Sequence, residues 1–233
     1  MKDKDLNKAA RYLIFRDKEV IINTVLFLVI TLAYLLSLYK FLFADKGEDF
    51  IILMTYALIL GFGIIGSNTI LVNLSLKDKL SGRLEFLLGT GLDVREIIKA
   101  YSIENWRISS LPSFINFFGT YLIYDLGKSF IALYLSCIAF HYFLILTLNI
   151  MAMYKKNFKF FKNILFFSTS LGIYLLGNFS GRILGLLGSI NLDLYVLLIL
   201  FNLILGLGLG LYSLYQLKMM DNEKVMEVSS VWS

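Results

Sequence analysis

The chain has 233 residues, of which 58% are hydrophobic and 17% charged, and its formal charge is +5. Soluble domains are about 45–50% apolar and about 25% charged, so this composition excludes an ordinary soluble domain. A single proline and abundant Leu, Ile and Phe, without ten-residue alternation, favour membrane helices over a β-barrel. The lone Cys137 excludes a disulfide framework within the chain.

Residues 1–19 predict an amphipathic helix. The segment is rich in Lys and Arg, and the apolar run after it is too long for a signal-peptide core, so we expect it to be retained. We expect it to lie in the interface with its basic side toward anionic lipid. Its apolar stripe recurs at helical spacing and consists of Leu6, Ala9, Ala10, Leu13 and Ile14.

The rest of the chain predicts an all-α membrane protein with six transmembrane helices in a single domain over residues 1–233. Runs of about 20 apolar residues are long enough to cross a bilayer. The predicted spans are 20–39, 50–74, 101–124, 129–153, 163–181 and 194–217, and a polar tail covers 218–233. In the second span Gly61, Gly63 and Gly66 favour close helix contact.

Two of these regions depart from a simple span. The third helix is expected to begin near Asp93 and to keep its charged first turns outside the apolar layer, with a kink at Pro112. The glycine-rich segment 177–193 is too long for a tight turn and too short for two spans. It predicts a broken or re-entrant outer segment before the sixth span.

The distribution of basic residues predicts the orientation. With the N-terminus inside, the inner segments hold seventeen Lys and Arg residues and the outer segments four, with Arg107 at a boundary. This positive-inside bias predicts a multi-pass membrane protein with six spans and both termini in the cytoplasm. It also accounts for the net charge without a nucleic-acid partner.

A charged segment, 78–91, separates the second and third spans, and we call it the island. Leu80, Leu84, Leu87 and Leu88 fall on one face of a predicted short helix, with the charged residues largely off that face. Gly89 and Gly91 predict its end. Asp93, with Glu96 three residues later, then predicts the capped start of the next helix.

The island carries a family resemblance. The run from Ser81 to Leu88, followed by Thr90-Gly91-Leu92 and Val94-Arg95-Glu96-Ile97, resembles the segment after the second span of ABC-2 type transporter permeases. Gly91 stands where proline is common in that family. The layout of an N-terminal amphipathic helix, six spans and a glycine-rich outer segment is similar too.

This resemblance implies the permease subunit of an ATP-driven exporter in a bacterial plasma membrane. A second permease subunit, identical or related, and two ATPase subunits that hold ATP and Mg²⁺ would be its partners, with lipid around it. The cytoplasmic island would be the coupling helix. The implied contact residues are Ser81, Gly82, Arg83, Leu84, Glu85, Phe86, Leu87 and Leu88.

The resemblance leaves the cargo open. A hydrophobic or amphipathic molecule, such as an antimicrobial peptide or a drug-like compound, would leave the cell by alternating access. Export of a lipid or polysaccharide, and a membrane scaffold or sensor that transports nothing, are the alternatives.

No catalytic or cofactor site is expected in the chain itself. It lacks the G-x-x-x-x-G-K-[ST] phosphate loop, and Gly206-x-x-x-Gly210 predicts helix packing instead. His141 and Cys137 are too few for a metal site. Lining of a transport path is the alternative role of five polar span residues. Their default role is interhelical hydrogen bonding for Asn68, Asn116, Asn149 and Asn202, and a packed or water-facing side chain for His141.

Overall fold

The computed structural model describes residues 3–71, 74–75, 77–154, 158–189, 193–223 and 225, and every regular element in these ranges is helical. A π-helical turn, Leu38–Leu42, continues α2. The α-helices are α1 Asp3–Arg16, α2 Lys18–Ser37, α3 Glu48–Leu71, α4 Lys77–Leu80, α5 Arg83–Gly89, α6 Val94–Tyr124, α7 Lys128–Tyr154, α8 Phe158–Ser189 and α9 Leu194–Met219.

Five helices in the described ranges are long and apolar enough to cross a membrane, which confirms an all-helical chain compatible with a multi-pass membrane protein. The predicted third span, 101–124, lies within α6 but is not among the five. The five segments are Lys18–Phe41, Glu48–Leu71, Lys128–Tyr154, Phe167–Gly188 and Leu194–Met219.

The most buried helix is α3, which packs against α6, α7 and α8. Its sequence is apolar all round, as expected of a helix with neighbours on every side. Its three glycines each meet a different neighbour: Gly61 faces Ile173 of α8, Gly63 faces His141 of α7, and Gly66 faces Ser109 of α6. The predicted close contacts of this span are therefore confirmed.

The helix ends meet in two apolar clusters. One cluster, which we call the hub, joins α1, the island and the ends of α6, α7 and α9 that lie beside it; its buried members include Ala10, Leu84, Ile97, Met153 and Leu217. The other cluster, at the far end, contains Ile52, Phe130 and Leu194 among others. The island is thus built into one end of the bundle and is not a loose connection.

The predicted break in segment 177–193 is wrong for its described part. Helix α8 runs without interruption to Ser189, through Gly177, Gly181 and Gly185, and residues 190–192 lie outside the described ranges. A mid-helix glycine costs only about 1 kcal/mol relative to alanine. Breaking the backbone in an apolar medium leaves hydrogen-bonding groups unpaired, which costs several kcal/mol for each group. The helix also begins at Phe158, earlier than the predicted 163.

The N-terminal prediction needs a second correction. The helix ends at Arg16, and Asp17 caps α2 by accepting a hydrogen bond from the backbone N–H of Glu19 at 3.0 Å. The apolar residues Leu6, Ala10 and Ile14 pack into the hub. The apolar stripe therefore meets protein, because the hub offers it an apolar surface. Lys2 lies outside the described residues.

Candidate functional site

The island consists of two short helices where the sequence predicted one. Helix α4 ends at Leu80 and α5 begins at Arg83, because Gly82 adopts a left-handed conformation with φ of 70°. Glycine adopts this conformation without the steric cost that a Cβ brings. The side chain of Leu80 lies outside the described part. The predicted end of the helix at Gly89 is confirmed.

The two faces of α5 differ sharply. Leu84 and Leu88 are buried in the hub, at 1% and 5% exposure, whereas Phe86 between them is 72% exposed. Burying a leucine side chain contributes roughly 1.5–3 kcal/mol, which a seven-residue helix needs because it would not be stable alone. Arg83 and Glu85 are exposed beside Phe86. The island therefore presents an aromatic side chain and two charges outward.

A buried carboxylate fixes the island to α6. Asp78 is 5% exposed, accepts a hydrogen bond from the hydroxyl of Tyr101, and forms an ion pair with Arg83 at 3.5 Å. Burial raises the pKa of Asp78 above its ordinary value. The sequence placed this charged residue largely off the packed face, yet it is one of the island's inward anchors.

A buried amine fixes the island to α7. Lys79 is 6% exposed, and its Nζ donates to the backbone carbonyl oxygens of Ala152 and Met153, at 3.3 and 3.0 Å. These carbonyls belong to the last turn of α7, where no further turn of the helix can bond them. Burial lowers the pKa of Lys79 to about 8. Two adjacent residues of opposite charge thus bind two different helices.

The turn after the island is fixed by the end of α9. Asn222 accepts a hydrogen bond from the backbone N–H of Val94 and donates one to the carbonyl of Leu92, both at 2.9 Å. The Arg95 guanidinium donates to the carbonyl of Met220 at 2.7 Å. Asp93 caps α6 as predicted, by accepting from the N–H of Arg95. Sequence reasoning missed Asn222, because a single polar residue in a polar tail carries no periodic signal.

Helix α1 is joined to α6 by a charged contact. The carboxylate of Glu104 is almost fully buried, and it accepts from Arg11 of α1 at 2.9 Å and from Arg107 at 2.5 Å. The hydrogen bond to Glu104 raises the pKa of Arg11. Glu104 is the single carboxylate that α1 and α6 share in this contact, so α1 is held to the bundle by charge as well as by its apolar stripe.

Two of the five predicted polar span residues are satisfied by neighbouring helices. Asn202 accepts from the hydroxyl of Tyr56 at 2.9 Å and donates to Ser136 at 2.9 Å and to Cys137 at 3.3 Å. Asn149 accepts from Ser75 and donates to the carbonyl of its own helix at Ile145. The first network lies in the far half of the bundle and the second beside the hub. They fit the interhelical bonding role.

Three of the predicted residues are buried without forming such a network. His141 lies over Gly63, and the described residues supply no hydrogen-bond partner to either of its ring nitrogens. The same holds for both amide atoms of Asn116. Asn68 is also buried. An unpaired buried amide typically costs about 1–3 kcal/mol of stability. A packing role alone therefore would not explain why Asn116 is an amide.

Asn116 belongs to a line of polar side chains on α6 that we call the polar seam. Its members recur every three or four residues, lie on one face and are all buried: Ser102, Asn105, Ser109, Ser113, Asn116 and Thr120. Two of them bond backbone carbonyls of α3, from Asn105 to Ser67 at 3.1 Å and from Ser113 to Ile59 at 2.6 Å. The sequence analysis singled out only Asn116, although the spacing of these polar residues was visible.

Glycines of α9 and α8 differ in what they contact. Gly206 and Gly210 face Phe140 and Phe143 of α7, which confirms the predicted packing face. Gly181 of α8 has no atom within 4 Å of the position a Cβ would take, so it makes no such contact within the described chain.

Comparison with protein-family models, functionally described proteins and solved structures finds no match for this chain.

Proposed function

We propose that this chain is the membrane-embedded permease subunit of an ATP-driven exporter of the ABC-2 type. In this proposal it pairs with a second permease subunit, and two separate ATPase subunits bind ATP and Mg²⁺. The island lies in the cytoplasm as the coupling helix, and both termini are on that side of a bacterial plasma membrane. The cargo is hydrophobic or amphipathic. The support is the sequence resemblance at the island together with the way the island is mounted.

The mounting of the island is the observation that carries the proposal. A coupling helix needs a rigid connection to the transmembrane helices that it moves and an exposed surface that the ATPase can contact. Leu84, Asp78 and Lys79 supply connections to the hub, to α6 and to α7 respectively. Phe86 supplies an exposed aromatic surface, and exposed aromatic side chains are enriched at protein interfaces.

The third of the six spans in this proposal, which is not among the five apolar segments, is the part of α6 that covers 101–124. This helix buries its small polar side chains in the polar seam and exposes large apolar ones, which is the reverse of a helix in water. The exposed set includes Leu111, Phe114, Phe118, Leu122 and Ile123. The polar seam lowers the mean hydropathy of α6 without placing polar groups in lipid. A span that packs this way fits between α3 and α7.

The coupling role is tested by co-purification and by ATP hydrolysis. We expect the chain, expressed with its neighbouring genes and extracted in mild detergent, to retain a P-loop ATPase. Phe86→Ala should release that ATPase or abolish cargo-stimulated hydrolysis. Phe41→Ala is the matched control, because Phe41 is also highly exposed, at 78%, but lies in the π-helical turn after α2, at the other end of the bundle.

The alternatives give different results in the same experiment. A scaffold or sensor would retain a partner with no cargo-dependent hydrolysis. A lipid or polysaccharide exporter would show hydrolysis stimulated by that amphiphile and not by peptides or drug-like compounds. Equal hydrolysis in Phe86→Ala and Phe41→Ala would count against the island as the coupling element.

A further inference from the structure

The elbow between α1 and α2 borders a cleft whose charges do not balance. The cleft has a volume of about 490 Å³ and lies between this elbow and the island. Its cations are Arg16, Lys18, Lys77 and Arg83, and its anions are Asp17 and Asp78.

Two of the four cations in the cleft are not used in its ion pairs. Lys77 pairs with Asp17 at 2.6 Å and Arg83 pairs with Asp78 at 3.5 Å. Among the residues the structure describes, Arg16 and Lys18 form no ion pair. The residues that line the cleft therefore carry an excess of about two positive charges when all of them are ionised. The nearby Glu19 carboxylate, which also acts on Lys77, offsets about one of these charges, and the cleft still favours an anion.

The position of the cleft along the bundle indicates the class of anion that it would bind. Lys18 is the first residue of a helix that crosses to the far end, and exposed apolar side chains begin within one turn of it, at Ile21 and Ile22. The boundary between charged and apolar surface is where lipid headgroups lie.

An apolar groove of about 230 Å³ opens at the same elbow, lined by Phe15, Val20, Val25, Leu28 and Leu111 among others. The two surfaces that share the elbow match the two halves of an amphiphile, a charged head and a hydrocarbon chain.

We propose that the elbow binds an anionic phospholipid, with its phosphate in the basic cleft beside Arg16 and Lys18 and an acyl chain along the apolar groove. Arginine suits this role because its guanidinium matches two phosphate oxygens at once. The lipid would bridge α1, α2 and the island, so it would set the position of the island relative to the membrane surface. This goes beyond the proposed export function and does not depend on it.

The test is native mass spectrometry of the full-length chain in detergent with phosphatidylglycerol and phosphatidylcholine at equal concentration. We expect wild type to retain phosphatidylglycerol preferentially. Arg16→Gln with Lys18→Gln should lower that retention roughly 30-fold, since two basic residues near a membrane surface contribute about 1 kcal/mol each and every 1.4 kcal/mol is tenfold. The control is Lys99→Gln with Lys218→Gln, which removes two exposed charges outside the cleft.

Three outcomes would overturn the proposal. Equal loss in both double variants would mean general electrostatic attraction. Complete displacement of phosphatidylglycerol by millimolar inorganic phosphate would mean a site for free phosphate and not for a lipid. Unchanged retention in Leu28→Trp, which fills the groove, would remove the acyl-chain half. All three readouts are independent of ATPase binding, so the export proposal stands or falls separately.

Discussion

The Nζ of Lys79 lies 3.0 Å from the carbonyl oxygen of Met153, and this bond ties the island to the last turn of α7. Replacing a buried amine by Met removes a desolvated charge and two hydrogen bonds together, so the net change in global stability should be small. The local tether is nevertheless lost. We expect amide hydrogen exchange in α5 of Lys79→Met to be about tenfold faster, corresponding to about 1.4 kcal/mol of local opening. Lys99→Met, at an exposed position on α6, should leave exchange in α5 unchanged.

The buried amine of Lys79 also predicts that the free energy of unfolding depends on pH. Its pKa is lowered from 10.5 in the unfolded chain to about 8 in the folded one. Between these values the unfolded state binds more protons, so stability rises with pH. The free energy of unfolding of wild type should therefore increase relative to Lys79→Met between pH 8 and about 10. Denaturation in one detergent across this range measures it, and the Lys77–Asp17 pair cancels because both proteins contain it. A flat difference would contradict a buried ammonium at this site.

Asn116 and Asn202 offer a matched pair of buried amides with opposite expectations. Asn202 bonds Tyr56, Ser136 and Cys137, whereas both amide atoms of Asn116 have no partner among the described residues. Asn202→Leu should lower the free energy of unfolding by about 2–3 kcal/mol, because it leaves its buried partners without a hydrogen bond. Asn116→Leu should leave stability unchanged or raise it by about 1 kcal/mol.

Unfolding of both variants in the same detergent measures this difference. If Asn116→Leu is as destabilising as Asn202→Leu, the polar seam is a bonded structural feature. If Asn116→Leu is stable but exports poorly, the amide serves the cargo path.

The sequence predicted what periodicity and caps encode, and missed what depends on contacts between distant helices. The start of α6 follows from Asp93, which is predicted as its cap and accepts from a backbone N–H group there. The start of α9 at Leu194 matches the predicted sixth span, although the sequence analysis did not identify Asp193 as its cap. The burial of Asp78 and Lys79 does not follow from local pattern, because charged residues in a connection normally face water. Their partners, Tyr101 and Met153, are distant in the chain.

The same contrast between local sequence signals and contacts of distant helices holds in the interior of the bundle. That Gly63 would meet His141 follows only from the packing of α3 on α7. The polar seam was in principle readable, since its members repeat every three or four residues. It was hidden because an apolar stripe is the usual signal of a buried face, and here the buried face is the polar one.

Gly82 and Gly91 are the two described residues of the island whose left-handed backbone should by itself limit substitution. Of these, Gly82 forms the corner between α4 and α5. A Cβ there would have no atom within 4 Å, so no clash arises, but its φ of 70° is one that L-residues adopt at a cost of roughly 1–2 kcal/mol. We expect Gly82→Ala to raise the population of the detached island about tenfold, and Gly82→Asn to do so less, because Asn enters this conformation more readily. Hydrogen exchange in α5 reports both.

Gly89 provides the control for this substitution. A Cβ at Gly89 also has no atom within 4 Å, but this residue ends α5 without a left-handed φ. Gly89→Ala should therefore leave exchange in α5 unchanged or slow it slightly, because alanine is the better helix former by about 1 kcal/mol. Equal effects at the two glycines would mean that the corner between α4 and α5 is not set by the conformation of Gly82. The island would then have to be positioned by Leu84, Asp78 and Lys79 alone, and a straightened helix would serve it equally well.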